Sequence, residues 1–335
     1  MNKMIQDLLH PEAYPDKPQT INLVQTHISI VFLGEKFVYK IKKPVCFGFL
    51  DFSTLEKRKY YCQKEVALNN RFSQDVYLDV LPVTYNGKIH TLQGSGTIVD
   101  YAVKMKRLPD EELFKNRFFN GAVSNSDIKK ISTAIATFHN NALQTEKIKE
   151  FGSLTSVKYN TDENFQQTVE FIGKSISKQQ YIDLKQWSDQ FYKDKKDLFS
   201  KRVKNGKIRD CHGDLHMEHI CLTDPIVIFD CIEFNDRFRY SDILSDIAFL
   251  LMDLEVNKGN KLADQLLGNY LRQINENHDS TVFDLIKFYK IYRAYVRGKV
   301  SSFMLNDPTI SDIEKYKAKQ LAQRYFDLAH SYIHQ

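Results

Sequence analysis

Asp210-Cys211-His212-Gly213-Asp214-Leu215-His216-Met217-Glu218-His219 is the densest polar cluster of the chain. Sixteen residues beyond Asp214 a second carboxylate, Asp230, follows the apolar run Ile226-Val227-Ile228-Phe229. A charge at the exit of a buried strand is costly to desolvate unless it gains a partner. Residues 219–222 and 226–229 read as short strands joined by Thr223-Asp224-Pro225, so Asp214 and Asp230 flank a β-hairpin and can converge on one point. Two such carboxylates suit a division of labour. One orients a nucleophilic hydroxyl, and the other holds Mg²⁺, whose octahedral coordination favours carboxylate and phosphate oxygens. Spacing alone fits equally well with two loop-capping residues.

Upstream of the cluster the chain is strand-rich. Residues 28–33 and 37–42 are β-prone runs around Gly34-Glu35-Lys36, a hairpin signal. Residues 81–85 and 88–92 flank Asn86-Gly87, a dipeptide suited to a two-residue type I′ turn because both positions tolerate positive φ. Residues 98–106 read as a fifth strand that ends near Pro109. One helix interrupts the strands. It opens at Ser53-Thr54-Leu55-Glu56, read as a capping box, and runs to about Phe72. Tyr61, Glu65, Leu68 and Phe72 are spaced four, three and four apart, which puts Glu65 on the core-facing stripe. A lone carboxylate there needs a cation. Lys40, on a strand with apolar Val38 and Ile41, is the natural candidate, although the same pair also reads as a plain structural salt bridge.

After Pro109 the pattern turns helical. Ile128, Ile131, Ile135 and Phe138 recur at helical spacing, and further helices are expected at about 179–199, 242–255, 260–274, 281–302 and 311–333. The expected class is therefore α+β: a five-stranded sheet lobe with one helix over residues 1–106, then a helical lobe over 107–335 with an embedded hairpin. The 335 residues are 42% hydrophobic and 27% charged, which excludes global disorder. The longest apolar stretch, residues 247–252, falls far short of the roughly 20 residues needed to cross a bilayer. Residues 1–15 hold no apolar signal-peptide core, so a cytoplasmic protein with no membrane partner is expected. Five scattered cysteines without a C-x-x-C pair fit reduced thiols. A net charge of +5 with no long Lys/Arg block argues against a nucleic-acid partner.

HGDLH (212–216), IFD (228–230), SDIAFL (245–250) and VYKIKK (38–43), with the Glu65 helix, carry a family resemblance. The chain resembles the aminoglycoside phosphotransferase family, within the protein-kinase-like superfamily, over about residues 25–254. That resemblance implies a bilobal protein-kinase-like fold, with a small antiparallel-sheet N-lobe and a larger helical C-lobe. It further implies transfer of the γ-phosphate of ATP, with Mg²⁺, to a hydroxyl of a small-molecule acceptor, sugar-like or aminoglycoside-like. Asp214 would be the catalytic aspartate, Asp230 the principal Mg²⁺ ligand, and Lys40 the contact to the α/β-phosphates with Glu65 as its partner. Asp246 would brace the backbone near His212, and the adenine would sit against the backbone around Met105 to Leu108.

Two departures from the family pattern stand out. Residues 25–29 replace a glycine-rich loop, which makes the backbone there and the Ser29 hydroxyl the candidates to cover the phosphates. His219 stands where the family has an asparagine that binds a second metal or braces the loop, and imidazole suits Mg²⁺ poorly. His219 therefore favours a rival reading, an inactive nucleotide-binding protein of the same fold. A metallohydrolase built on His212, His216 and His219 is the other rival. Gly213 argues against the helix that would present the first two on one face. Arg293 and Arg297, four apart, read either as a clamp for an anionic acceptor or as a solvated basic face.

Overall fold

In the computed structural model, residues 3–276, 279–308 and 310–335 are described. They form two compact units. One runs to Ala122 and takes in Glu218–Asp236; the other comprises Val123–Met217 and Arg237–Gln335.

The first unit is built on an antiparallel sheet of six strands, one more than the sequence predicts: β1 (Asn22–Gln25), β2 (Ser29–Leu33), β3 (Phe37–Lys42), β4 (Tyr77–Tyr85), β5 (His90–Leu92) and β6 (Thr97–Lys106), in the order β1-β2-β3-β6-β4-β5. The extra strand, β1, is mostly exposed, so it lacks the alternation that marks a half-buried strand. β4 also begins earlier than expected. Asp79 disguises its first half, and the register with β6 slips between Tyr77 and Asp79. Strand alternation divides the β3 side chains between the two faces of the sheet. Tyr39 and Ile41 join Phe32, Leu81, Val83 and Ala102 under the N-terminal residues Leu8 and Tyr14. On the opposite face, Val38 joins Val103, Met105, Cys62 and Tyr77.

Two local expectations fail for identifiable reasons. The helix Leu55–Asn69 is capped by Thr54, whose side chain accepts the N–H of Lys57, while the Ser53 hydroxyl is taken by Asp51. Asn86 does not enter the left-handed region; only Gly87 does, at φ +92°. The Asn86 side chain instead accepts the N–H groups of Lys88 and Ile89, widening the β4–β5 connection into a four-residue loop.

The hairpin formed by Ile220–Cys221 and Val227–Ile228 belongs to the sheet unit, and its hydrogen bonds explain why. The Ser73 hydroxyl accepts from Ile228 N at 2.9 Å, Asn69 Oδ1 accepts from Cys231 N at 2.9 Å, and the carbonyl of Glu112 accepts from Leu222 N at 2.7 Å. Cys221 and Val227 complete the apolar cluster of Val38 and Met105.

In the second unit the helix Ile243–Val256 is buried along nearly its whole length, from Ile243 to Leu254. Phe249 and Met252 on it pack with Phe165, Leu184, Ile291, Tyr295 and Phe326. The long helices Ser280–Phe303 and Asp312–Ile333 approach closely at Gly298, where an added Cβ would sit 2.8 Å from the Phe326 ring. The expected helix at 179–199 is two, Lys178–Asp194 and Lys196–Lys204, divided at Lys195. The helix Leu154–Thr168 has no counterpart in the sequence reading; most of its residues are polar, and its buried ones include Thr161, Asn164 and Thr168. Among the described residues no helix is long and apolar enough to cross a membrane.

Candidate active site

The sheet unit gathers five charged side chains. Residues i and i+2 of a strand share a face, so β3 presents Lys40 and Lys42 together, toward the helix that carries Glu65. One oxygen of the buried Glu65 lies 2.9 Å from Lys40 Nζ and the other 2.6 Å from Lys42 Nζ. Lys40 also reaches Asp230 Oδ1 at 2.6 Å, and Lys42 is closed off by Glu233. Burial alone would pull the Lys40 pKa down, but Asp230 and Glu65 hold it well above the ordinary lysine value. Burial likewise works against the Glu65 carboxylate, and the two ammonium groups outweigh it, keeping that pKa low. Glu233 has burial and only one adjacent ammonium, so its pKa is raised.

Asp230 is the most open of the three carboxylates, with its side chain 37% exposed. Its backbone sits at φ +61°, a left-handed conformation costly for a residue other than glycine. The Tyr77 hydroxyl accepts the Asp230 N–H at 3.0 Å and helps to hold it there. His219 Nε2 lies 3.5 Å from Asp230 Oδ2. Beside this charged group, Val38, Met105, Cys221 and Val227 belong to a buried apolar cluster, with Leu108, Leu113 and Phe229 partly buried against it. Just past β6, the backbone N–H and C=O of Leu108 make no hydrogen bond among the described residues.

In the helical unit, Asp214 lies on a loop braced from beneath. Gly213 turns at φ +87°, and the N–H groups of His212 and Gly213 both donate to Asp246, each at 2.9 Å. His139 Nε2 meets the same carboxylate at 3.1 Å, and Tyr270 holds the other ring nitrogen at 2.6 Å. Burial would raise the Asp246 pKa, but His139 and its neighbours lower it to about 2. Asp253, two turns along the same helix, accepts the Met217 N–H at 2.9 Å, and Arg293 donates to the Gly213 carbonyl at 2.9 Å. The Asp214 carboxylate is left partly exposed, 3.5 Å from His216 Nε2.

No family model matches the chain. Three uncharacterized proteins, one from Mycobacterium bovis and two from strains of Mycobacterium tuberculosis, are each 32% identical to it over 292 residues, or 86% of its length. The chain spans only 56% of the length of these curated relatives. Among solved structures, the GDP complex of an aminoglycoside 2′-phosphotransferase aligns with 98% of this chain and 99% of its own, at 13% identity and a TM-score of 0.54. A choline/ethanolamine kinase family protein from Mesorhizobium loti aligns over 95% of both chains, at 12% identity and a TM-score of 0.52. The chain has the protein-kinase-like fold.

Within this kinase-like fold, Lys40, Glu65, Asp230 and His219 come together in the sheet unit, and Met105 lies in its apolar cluster. Asp214 belongs to the helical unit, where Asp246 braces its loop. Ser29 lies within β2 rather than in the preceding loop. It is 1% exposed, its hydroxyl has no hydrogen-bond partner among the described residues, and it sits directly across from Lys42. Arg293 is neither an anion clamp nor a solvated cation, because it is buried under the Gly213 and Ser245 carbonyls. Residues 211–216 form no helix, and His212 Nδ1 accepts the Asp214 N–H at 3.3 Å, unlike the paired histidines of a helical zinc motif.

Sequence reasoning missed Lys42, Tyr77, His139 and Asp253, and it offered Glu233 as an oxygen ligand for a second metal rather than as the partner of Lys42. The i, i+2 spacing of Lys40 and Lys42 could have exposed the first. Nothing local marks the others.

The low pKa of Asp246 yields a stability prediction. Its folded pKa lies below the ordinary 3.8, so the carboxylate stabilises the fold above about pH 4, and that contribution is lost as the pH falls through about 2. A shift of this size corresponds to about 2 kcal/mol. Asp246→Asn is expected to lower unfolding free energy by at least about 2 kcal/mol at pH 7 and to flatten the decline between pH 4 and 2. Denaturant titrations across that range check both outcomes.

Proposed function

We propose that the chain is a phosphotransferase that moves the γ-phosphate of ATP, with Mg²⁺, to a hydroxyl of a small-molecule acceptor, sugar-like or aminoglycoside-like. The observation that carries this reading is the Lys40–Glu65–Asp230 chain of ion pairs on one sheet face beside an apolar cluster. An ammonium fixed by a buried carboxylate suits phosphate oxygens, and a hard carboxylate suits Mg²⁺. The Asp230 donor set fits that ion, which when bound would neutralise charge on the phosphates. The unpaired Leu108 backbone groups beside Met105 suit the edge of a purine. Asp214, on a loop whose backbone is held by other residues, would accept or orient the proton of the acceptor hydroxyl. The modest net charge fits a small acceptor rather than nucleic acid, and we place the protein in the cytoplasm.

The test is calorimetric titration with Mg·ATP and Mg·GTP, followed by an acceptor screen that reads ADP or GDP release. Tight nucleotide binding that Lys40→Ala weakens at least about tenfold, with release stimulated by a sugar or amino-sugar, is expected. Binding with no stimulation by any acceptor would leave an inactive nucleotide-binding protein, the reading that His219 favours. Absence of metal-dependent binding would remove the proposal altogether.

A further inference from the structure

Three acidic side chains, Glu65, Asp230 and Glu233, lie within reach of β3, enough in number to hold two divalent ions. Their pairing gives a different outcome. Lys42 is 1% exposed and lies between two of them, 2.6 Å from Glu65 and in direct contact with Glu233. Its ammonium also stands 4.9 Å from the centre of the buried Phe52 ring. Glu233 is itself 4% exposed, so its carboxylate faces the lysine within the protein rather than solvent. A buried charge stripped of its partner costs several kcal/mol, so Glu233 does not leave Lys42 for an incoming ion without a large penalty. Glu65 is committed in the same way, one oxygen to each lysine. Asp230 is also ion-paired, to Lys40 at 2.6 Å, but of the three carboxylates it is the one that is substantially exposed, and near its other oxygen stands His219, an imidazole, which suits Mg²⁺ and Mn²⁺ poorly.

We infer that Lys42 is a positioning residue that locks Glu233 and half of Glu65 away from metal, so that the site takes a single divalent ion, at Asp230. With nucleotide bound, the buried ammonium would supply fixed positive charge that a second ion would otherwise provide. This inference rests on the nucleotide reading above.

The test counts ions rather than turnover. The whole chain is titrated with Mn²⁺ in the presence of a non-hydrolysable imido analogue of ATP, and bound Mn²⁺ per bound nucleotide is measured by electron paramagnetic resonance. One ion is expected for the wild type at millimolar Mn²⁺. Lys42→Met frees Glu233 and is expected to raise the count to two, and Lys42→Met combined with Glu233→Gln is expected to return it to one. Two ions on the wild type, or a count still at one in a folded Lys42→Met protein, would overturn the inference while leaving nucleotide binding intact. If Lys42→Met does not fold, the wild-type count decides. Failure of the wild type to bind the analogue with Mn²⁺ would instead defeat the nucleotide reading, and this inference with it.

Discussion

Asp214→Asn is expected to reduce the rate of phosphoryl transfer by about 10²–10⁴-fold while changing nucleotide affinity less than about threefold. The split follows from what holds the loop. Its backbone is fixed by Asp246 on the His212 and Gly213 N–H groups, by Arg293 on the Gly213 carbonyl and by Asp253 on the Met217 N–H, none of which involves the Asp214 carboxylate. Removing that carboxylate's charge therefore leaves these backbone contacts in place and takes away the group that, on the proposed reading, would receive the acceptor's proton. The carboxylate is also only partly buried, so an amide there meets no large desolvation penalty. Steady-state kinetics with nucleotide and acceptor varied separately would reveal the pattern, a fall in kcat with KM for nucleotide nearly constant. Full activity in the variant would remove Asp214 from the reaction. An equal fall in thermal stability would mean that the carboxylate is structural.

The candidate residues of the two units were unequally legible in the sequence. Asp214 and Asp230 stood out because a short polar cluster and an apolar strand frame them, a local signal that needs no tertiary knowledge. Asp246 was placed through resemblance, and its two backbone hydrogen bonds agree with that placement. Glu65 was found for a partly wrong reason. The buried side of its helix is Arg58, Cys62, Glu65 and Asn69, whereas Tyr61 and Leu68, taken as the core stripe, are only half-buried. A hydropathy pattern follows apolar residues, and here the buried face is mostly polar because it meets two lysines and the hairpin after Ile228. Glu233 and Tyr77 show the other limit. Each acquires its role only when segments roughly 150 to 190 residues apart meet, as Lys42 does Glu233 and Tyr77 does Asp230. No spacing rule connects them.

Asp230 separates function from stability most sharply, and Asp230→Ala is expected to lose metal-dependent nucleotide binding by at least about 10²-fold and to carry out no measurable transfer. The same variant is not expected to be less stable. With Asp230 present, three carboxylates share two lysines; without it, Glu65 and Glu233 balance Lys40 and Lys42, and Lys40 keeps its 2.9 Å contact with Glu65. The backbone points the same way. Asp230 occupies φ +61°, where a side chain costs of order 1 kcal/mol, and a residue held against that preference is a frequent mark of a functional site. Asp230→Gly, which removes both the charge and the strain, is therefore expected to melt a few degrees above the wild type while equally devoid of metal-supported binding. Thermal unfolding without nucleotide, paired with Mn²⁺ titration in its presence, measures both effects on the same samples. A marked loss of stability in both variants would assign Asp230 to holding Lys40 in place. Higher stability with metal binding gone would mean that the strained carboxylate is kept for the ion it binds.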